Sequence, residues 1–114
     1  MKIKMIKEKN VDIAVISSDE LLLTDVQSSL DLMASVGYDT NCTRIVINKS
    51  AVCEDFFQLR TKLAGEILQK FVNYHVKLAI VGDFSQYESK ALRDFIYESN
   101  KGKHIFFVSD EKQA

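Results

Sequence analysis

Proline is missing from the sequence altogether, and its four glycines are scattered at Gly37, Gly65, Gly82 and Gly102. Without proline, connections between elements are expected to be compact, and without clustered glycines there is no backbone cradle for a phosphate. Cysteine is scarce too. Cys42 and Cys53 are separated by ten residues in CTRIVINKSAVC, a spacing that fits neither a zinc knuckle nor a redox pair, so both are read as reduced thiols. No metal site and no cofactor is expected. No apolar run approaches the roughly 18 residues of a membrane span. The opening MKIKMIKEKN alternates lysine with single apolar residues where a secretion signal needs an unbroken apolar stretch. These absences predict a cytoplasmic protein with no membrane partner. Charge of one sign is not in excess either: 15 Lys and Arg against 16 Asp and Glu leave a net charge of -1, which supplies no overall field to draw nucleic acid.

What is present is the composition of a globular protein, 46% hydrophobic and 27% charged over 114 residues. That is the size of one domain with one core, spanning residues 1–114. KIKMIK and VDIAVIS read as two strands joined at Lys9 and Asn10, a hairpin with Asn10 in the turn. Lysines on the first strand place it at the sheet margin. Thr24 and Gln27 have capping-box spacing, Val26, Leu30, Met33 and Ala34 recur at helical intervals, and Gly37 is the expected stop. RIVIN, VKLAIVGD and HIFFVSD are further strands whose apolar residues run without alternation, the mark of parallel strands covered on both faces. Between them lie two helical stripes: Phe56, Leu59, Leu63, Ile67 and Phe71, then Ala91, Leu92, Phe95 and Ile96 closed by Asn100 and Gly102. The order ββαβαβαβ predicts an α/β fold, a mostly parallel five-stranded sheet with an N-terminal antiparallel hairpin and three main helices.

Two residues look out of place. Gly65 interrupts the first stripe, where a helix-interior glycine costs about 1 kcal/mol, and the expectation is close packing of the helix beside Ala64. Were Thr61 an N-cap, Gly65 would instead lie in a first turn whose free N–H groups can receive an anion. Glu66 is read as a solvated residue paired with Lys62 or Lys70. In an open parallel sheet, ligands bind beyond the carboxyl ends of the strands, here Asn48 to Ser50, Gly82 to Ser85, and Ser109 with Asp110. Asp83 has the address of a ligand-contacting carboxylate, although Ser85 and Glu88 form a competing capping box and Ser89 offers a second cap. Lys49 and Arg60 are the cations near these loops. His75 and His104 precede strands and so fall on the opposite rim, out of reach of Ser, Cys or Asp83, which disfavours hydrolytic catalysis.

LRTKLAGEILQKFVNY, KLAIVGDFSQYESKALRDFIYESNKG and FFVSD resemble an uncharacterised bacterial family catalogued as domain of unknown function 4180, over nearly the whole chain. That resemblance implies no activity. The element order also resembles the STAS domain of anti-sigma-factor antagonists, which carries a regulatory serine at the start of the helix after the third strand. The Asp-Ser-Ser-Gly motif of those phosphoproteins is absent. The corresponding stretch reads NKSAVCEDFFQLRTKLAGE, so the STAS-like layout makes Thr61, and after it Ser50, the candidate phosphorylation sites.

Together these features predict a non-enzymatic binding or regulatory module, with Thr61, Gly65, Glu66, Asp83, Ser85 and Arg93 as candidate ligand or partner contacts. A small enzyme or small-molecule binder built on Glu66, Asp83 and Arg93 is the competing expectation, and it requires a pocket that holds at least two of them. A protein partner, in particular a second copy, follows from the strands. If they lie in sequential order, all three helices cover one face and leave the other bare, and the closing SDEKQA is too short to cover it.

Overall fold

The computed structural model describes residues 2–58 and 62–109. Its elements are β1 (Lys2–Glu8), β2 (Val11–Ser17), α1 (Val26–Thr40), β3 (Arg44–Asn48), α2 (Leu63–Asn73), β4 (Lys77–Val81), α3 (Lys90–Lys101) and β5 (Ile105–Val108). Five strands form one sheet in the order β1-β2-β3-β4-β5, antiparallel between β1 and β2 and parallel thereafter. The expected α/β architecture is present.

Local chemistry explains the boundaries. Lys9 and Asn10 both have positive φ, which a tight hairpin turn between right-twisted strands requires and which asparagine tolerates better than most residues. The expected Thr24–Gln27 capping box is displaced by one residue. Asp25 is the N-cap of α1, its carboxylate accepting from the Ser28 N–H at 2.7 Å while the Ser28 hydroxyl accepts from the Asp25 N–H at 3.0 Å. Gln27 instead donates to Asp31. Nor does Gly37 end the helix. α1 runs on to Thr40 and closes at Asn41, whose φ of 58° is left-handed and whose N–H donates to the Gly37 carbonyl. Asparagine has taken the role expected of the glycine.

The second helix is shorter than its sequence stripe. Phe56 belongs to a separate 3-10 turn, Glu54–Phe57, Leu59 lies outside the described residues, and α2 begins at Leu63 after Lys62 in the left-handed region. Extended backbone at Gln58 divides the stripe in two. In α3 the N-cap is Ser89, accepting from the Leu92 N–H. The Ser85–Glu88 box does not form, because Ser85 is bonded to Asp83.

All three helices lie on one side of the sheet. Leu32 and Val36 of α1, Ala64, Ile67, Leu68 and Phe71 of α2, and Leu92 of α3 share a single core with Ala14, Ile16, Ile45, Ile47, Leu78, Ile80, Ile105 and Phe107 of the strands. Each such large side chain withdrawn from water stabilises the fold by about 1.5 to 3 kcal/mol before entropy is counted. A second cluster, centred on Val15, Val46 and Ala79, contains strand residues alone. The two sheet edges are protected differently. β1 presents lysines, whereas on β5 the Asn100 carboxamide of α3 accepts from the Phe107 N–H and donates to its carbonyl, occupying groups that would otherwise template another strand.

Candidate functional site

The carboxyl ends of β3 and β4 open onto a cavity of about 610 Å³ that includes Asn48, Lys49, Ser50, Cys53, Glu54 and Asp83. Lys49 is its central cation. Its Nζ lies 4.9 Å from the centre of the Tyr87 ring, 5.6 Å from that of Phe57, and 4.0 Å from the Glu54 carboxylate. Gly82 makes this position accessible. A Cβ there would sit 2.5 Å from the Lys49 Cβ, so the chain of β4 passes too close to Lys49 for any side chain. The Tyr87 hydroxyl donates to Glu54 at 3.2 Å, and the Phe57 and Tyr87 rings stack with centres 5.2 Å apart.

The other polar groups of this rim are also engaged within the protein. Asn48 accepts from the Ser18 N–H and donates to the Ser18 carbonyl and the Ser50 hydroxyl, tying β3 to the end of β2. Asp83 accepts from both the hydroxyl and the N–H of Ser85, at 2.6 and 2.9 Å. Those two bonds, and more weakly the charge of Lys49, hold its carboxyl below the ordinary value of 3.8. The Cys53 thiol faces the Thr24 carbonyl at 3.8 Å. No imidazole reaches this rim among the described residues, since His75 and His104 precede β4 and β5, as expected.

The predicted site residues are brought together only in part. Asp83 and Ser85 share a second rim cavity of about 500 Å³ on the β5 side, but Glu66 and Arg93 line neither this cavity nor the larger one. Both are exposed. Thr61 and Arg60 lie outside the described residues. Gly65 is not a packing glycine: a Cβ there meets nothing within 4 Å. It occupies the first turn of α2, not its interior, so neither close approach nor a helix-interior penalty applies. Glu66 forms no ion pair with Lys62 or Lys70 among the described residues. Its position in that same first turn complements the helix dipole.

A different surface is left without a partner. On the helix-free side, the register aligns Lys4, Val15, Val46, Ala79 and Phe106 across the five strands. Val15, Val46 and Ala79 are screened by their neighbours, while Ile6, Ile13, Val81 and Phe106 around them remain partly in water. One row nearer the amino ends, Arg44 pairs with Lys77 on the adjacent strand. Both line a shallow depression of about 70 Å³ with Ile13, Val46, Ala79 and Phe106.

A family model described as Domain of unknown function (DUF4180) matches residues 8–114. The chain belongs to that family. No curated protein and no solved structure matches it, so nothing beyond the element order links this DUF4180 domain to STAS domains. None of its described helices is long and apolar enough to cross a membrane. Arg44 and Lys77 of the DUF4180 sheet were not among the residues singled out in the sequence, although the signal was legible. In TRIVIN and VKLAIV a cation stands two residues before an apolar residue, which in a strand puts both on the same face.

Proposed function

We propose that this DUF4180 domain is a non-enzymatic binding module that works by docking another protein on the helix-free face of its sheet. The observation that carries this reading is the set of apolar residues Ile6, Ile13, Val81 and Phe106, which ring the screened Val15, Val46 and Ala79, remain partly in water and are covered by no helix of the described chain. A contiguous apolar patch left partly in water is the usual mark of an interaction site when it is large. The rim is a weaker candidate because Lys49, Asp83 and Asn48 are already engaged by Glu54, Ser85 and Ser18 respectively, and because the small-molecule reading needs two of Glu66, Asp83 and Arg93 in one pocket, whereas the two rim cavities hold Asp83 alone of the three.

Site-specific photocrosslinking in the native host tests the reading. A benzophenone side chain at Phe106 samples the face, and the same group at Tyr97 samples the exposed side of α3, where Tyr97 is 61% exposed. A discrete protein adduct from position 106 and not from 97 is expected. An adduct at twice 13.0 kDa would identify a second copy as the occupant, and a different mass a different protein. No adduct at 106, or the same adducts from both positions, would overturn the docking reading.

A further inference from the structure

The charge on this face specifies what docks there. Lys2 and Lys4 of β1 and Arg44 and Lys77 of the central strands all point to the helix-free side, and Glu8 is the only acidic strand residue that joins them. None of the four cations makes an ion pair among the described residues. Arg44 and Lys77 stand directly opposite each other on neighbouring strands, an arrangement that destabilises a sheet when nothing neutralises it. It is also costly beside an apolar row, because any partner that excludes water there must desolvate both charges. A whole-chain net charge of -1 conceals this local excess.

Resting on the docking reading above, we propose that the occupant is an acidic-apolar protein segment, one whose carboxylate lies between Arg44 and Lys77 while adjacent apolar side chains cover Ile13 and Phe106, the partly exposed residues of the same depression. A second copy fits less well. It covers the apolar row but doubles the unbalanced cations across the same interface. An extended nucleic acid would need cations in a continuous track, whereas here Ile13 and Val15 of the intervening strand β2 separate Lys2 and Lys4 from Arg44 and Lys77. A carboxylate satisfies both cations at once, and arginine's planar fork is suited to gripping it through two bonds.

Selection from a random peptide display library against the purified domain is the test, with binding sites mapped by NMR shifts of the Val15, Val46, Ala79 and Phe106 amides. Peptides that shift these amides are expected to be enriched in Asp or Glu next to Leu, Ile or Phe. Arg44→Gln with Lys77→Gln should weaken the best of them at least tenfold at low salt, and raising the salt should shrink that difference. Either glutamine variant alone, with unchanged melting, guards against a folding defect in the pair. Peptides that bind this face without acidic residues, or lose nothing in the double variant, would overturn the acidic partner and leave the docking reading standing. Peptides that map elsewhere would overturn both. Cosedimentation with phosphatidylserine vesicles or duplex DNA that depends on the same two cations, with no acidic peptide selected, would assign the face to a lipid or nucleic-acid anion and also overturn the proposal.

Discussion

The two faces of the sheet are made from alternate residues of the same strands, yet they have different fates. Ile45 and Ile47 face three helices and are 2% and 0% exposed; Val46, between them, faces no helix and is 5% exposed. Central strand residues are withdrawn from water on both faces, on one by helices and on the other by neighbouring side chains. The difference shows at the periphery. On the covered face the outer residues Ile105 and Phe107 are buried, whereas Phe106 on the other remains partly in water. Apolar character alone therefore does not distinguish a strand face packed under helices from one that no described helix covers.

Substituting adjacent residues of β5 is the strongest way to break that comparison. Phe107→Ala should cost about 3 to 5 kcal/mol, because the ring packs against Phe56, Phe84 and Phe95 and would leave a cavity. Phe106→Ala should cost about 1 kcal/mol in the isolated chain, since much of its transfer energy is never gained. Equal losses in urea denaturation would mean that the two faces are energetically alike. At the rim where the faces meet, Gly82→Ala should destabilise by about 1 to 3 kcal/mol, since the new Cβ collides with the Lys49 stem. Weakened Tyr87 contacts to Lys49, read from NMR shifts, should accompany the loss.

Gly65 lies on the outer side of the helical layer and sharpens the contrast in the other direction. With open space around it, Gly65→Ala should leave stability unchanged or raise it by up to about 1 kcal/mol through the unfolded chain. A loss would restore the close-packing account. The smallest expected effect concerns Asp83, whose depressed pKa makes its contribution one that is present above its unfolded value near 3.8. It is lost as the pH falls through the lower folded value. Ser85→Ala removes the largest cause, so the Asp83 titration midpoint followed by NMR should rise toward 3.8.

Periodicity, turn residues and continuous apolar runs were enough to read the element order, the hairpin at Lys9 and Asn10, the Ser89 option and the parallel strands. Each is a local property, set by backbone sterics and by which residues recur at period 2 or 3.6. Boundaries were less legible because near-equivalent caps compete: Asp25 displaced Thr24, and Asn41 took the place expected of Gly37. The Phe56-to-Phe71 stripe misled for a related reason, since a periodic pattern continues through a turn that breaks the helix carrying it.

Only the tertiary structure decided where the candidate site lies. A strand shows its neighbours which residues share a face, but the sequence does not say which face the helices choose or which strands become adjacent. The sequential strand order put α1, α2 and α3 on one side and set Arg44 beside Lys77 on the other, though 33 positions separate them in the chain. Glu66 and Arg93, expected to share a rim pocket with Asp83, were left exposed outside both rim cavities. Local pattern determines which elements form, whereas a site depends on long-range juxtaposition, and only the packed sheet sets that.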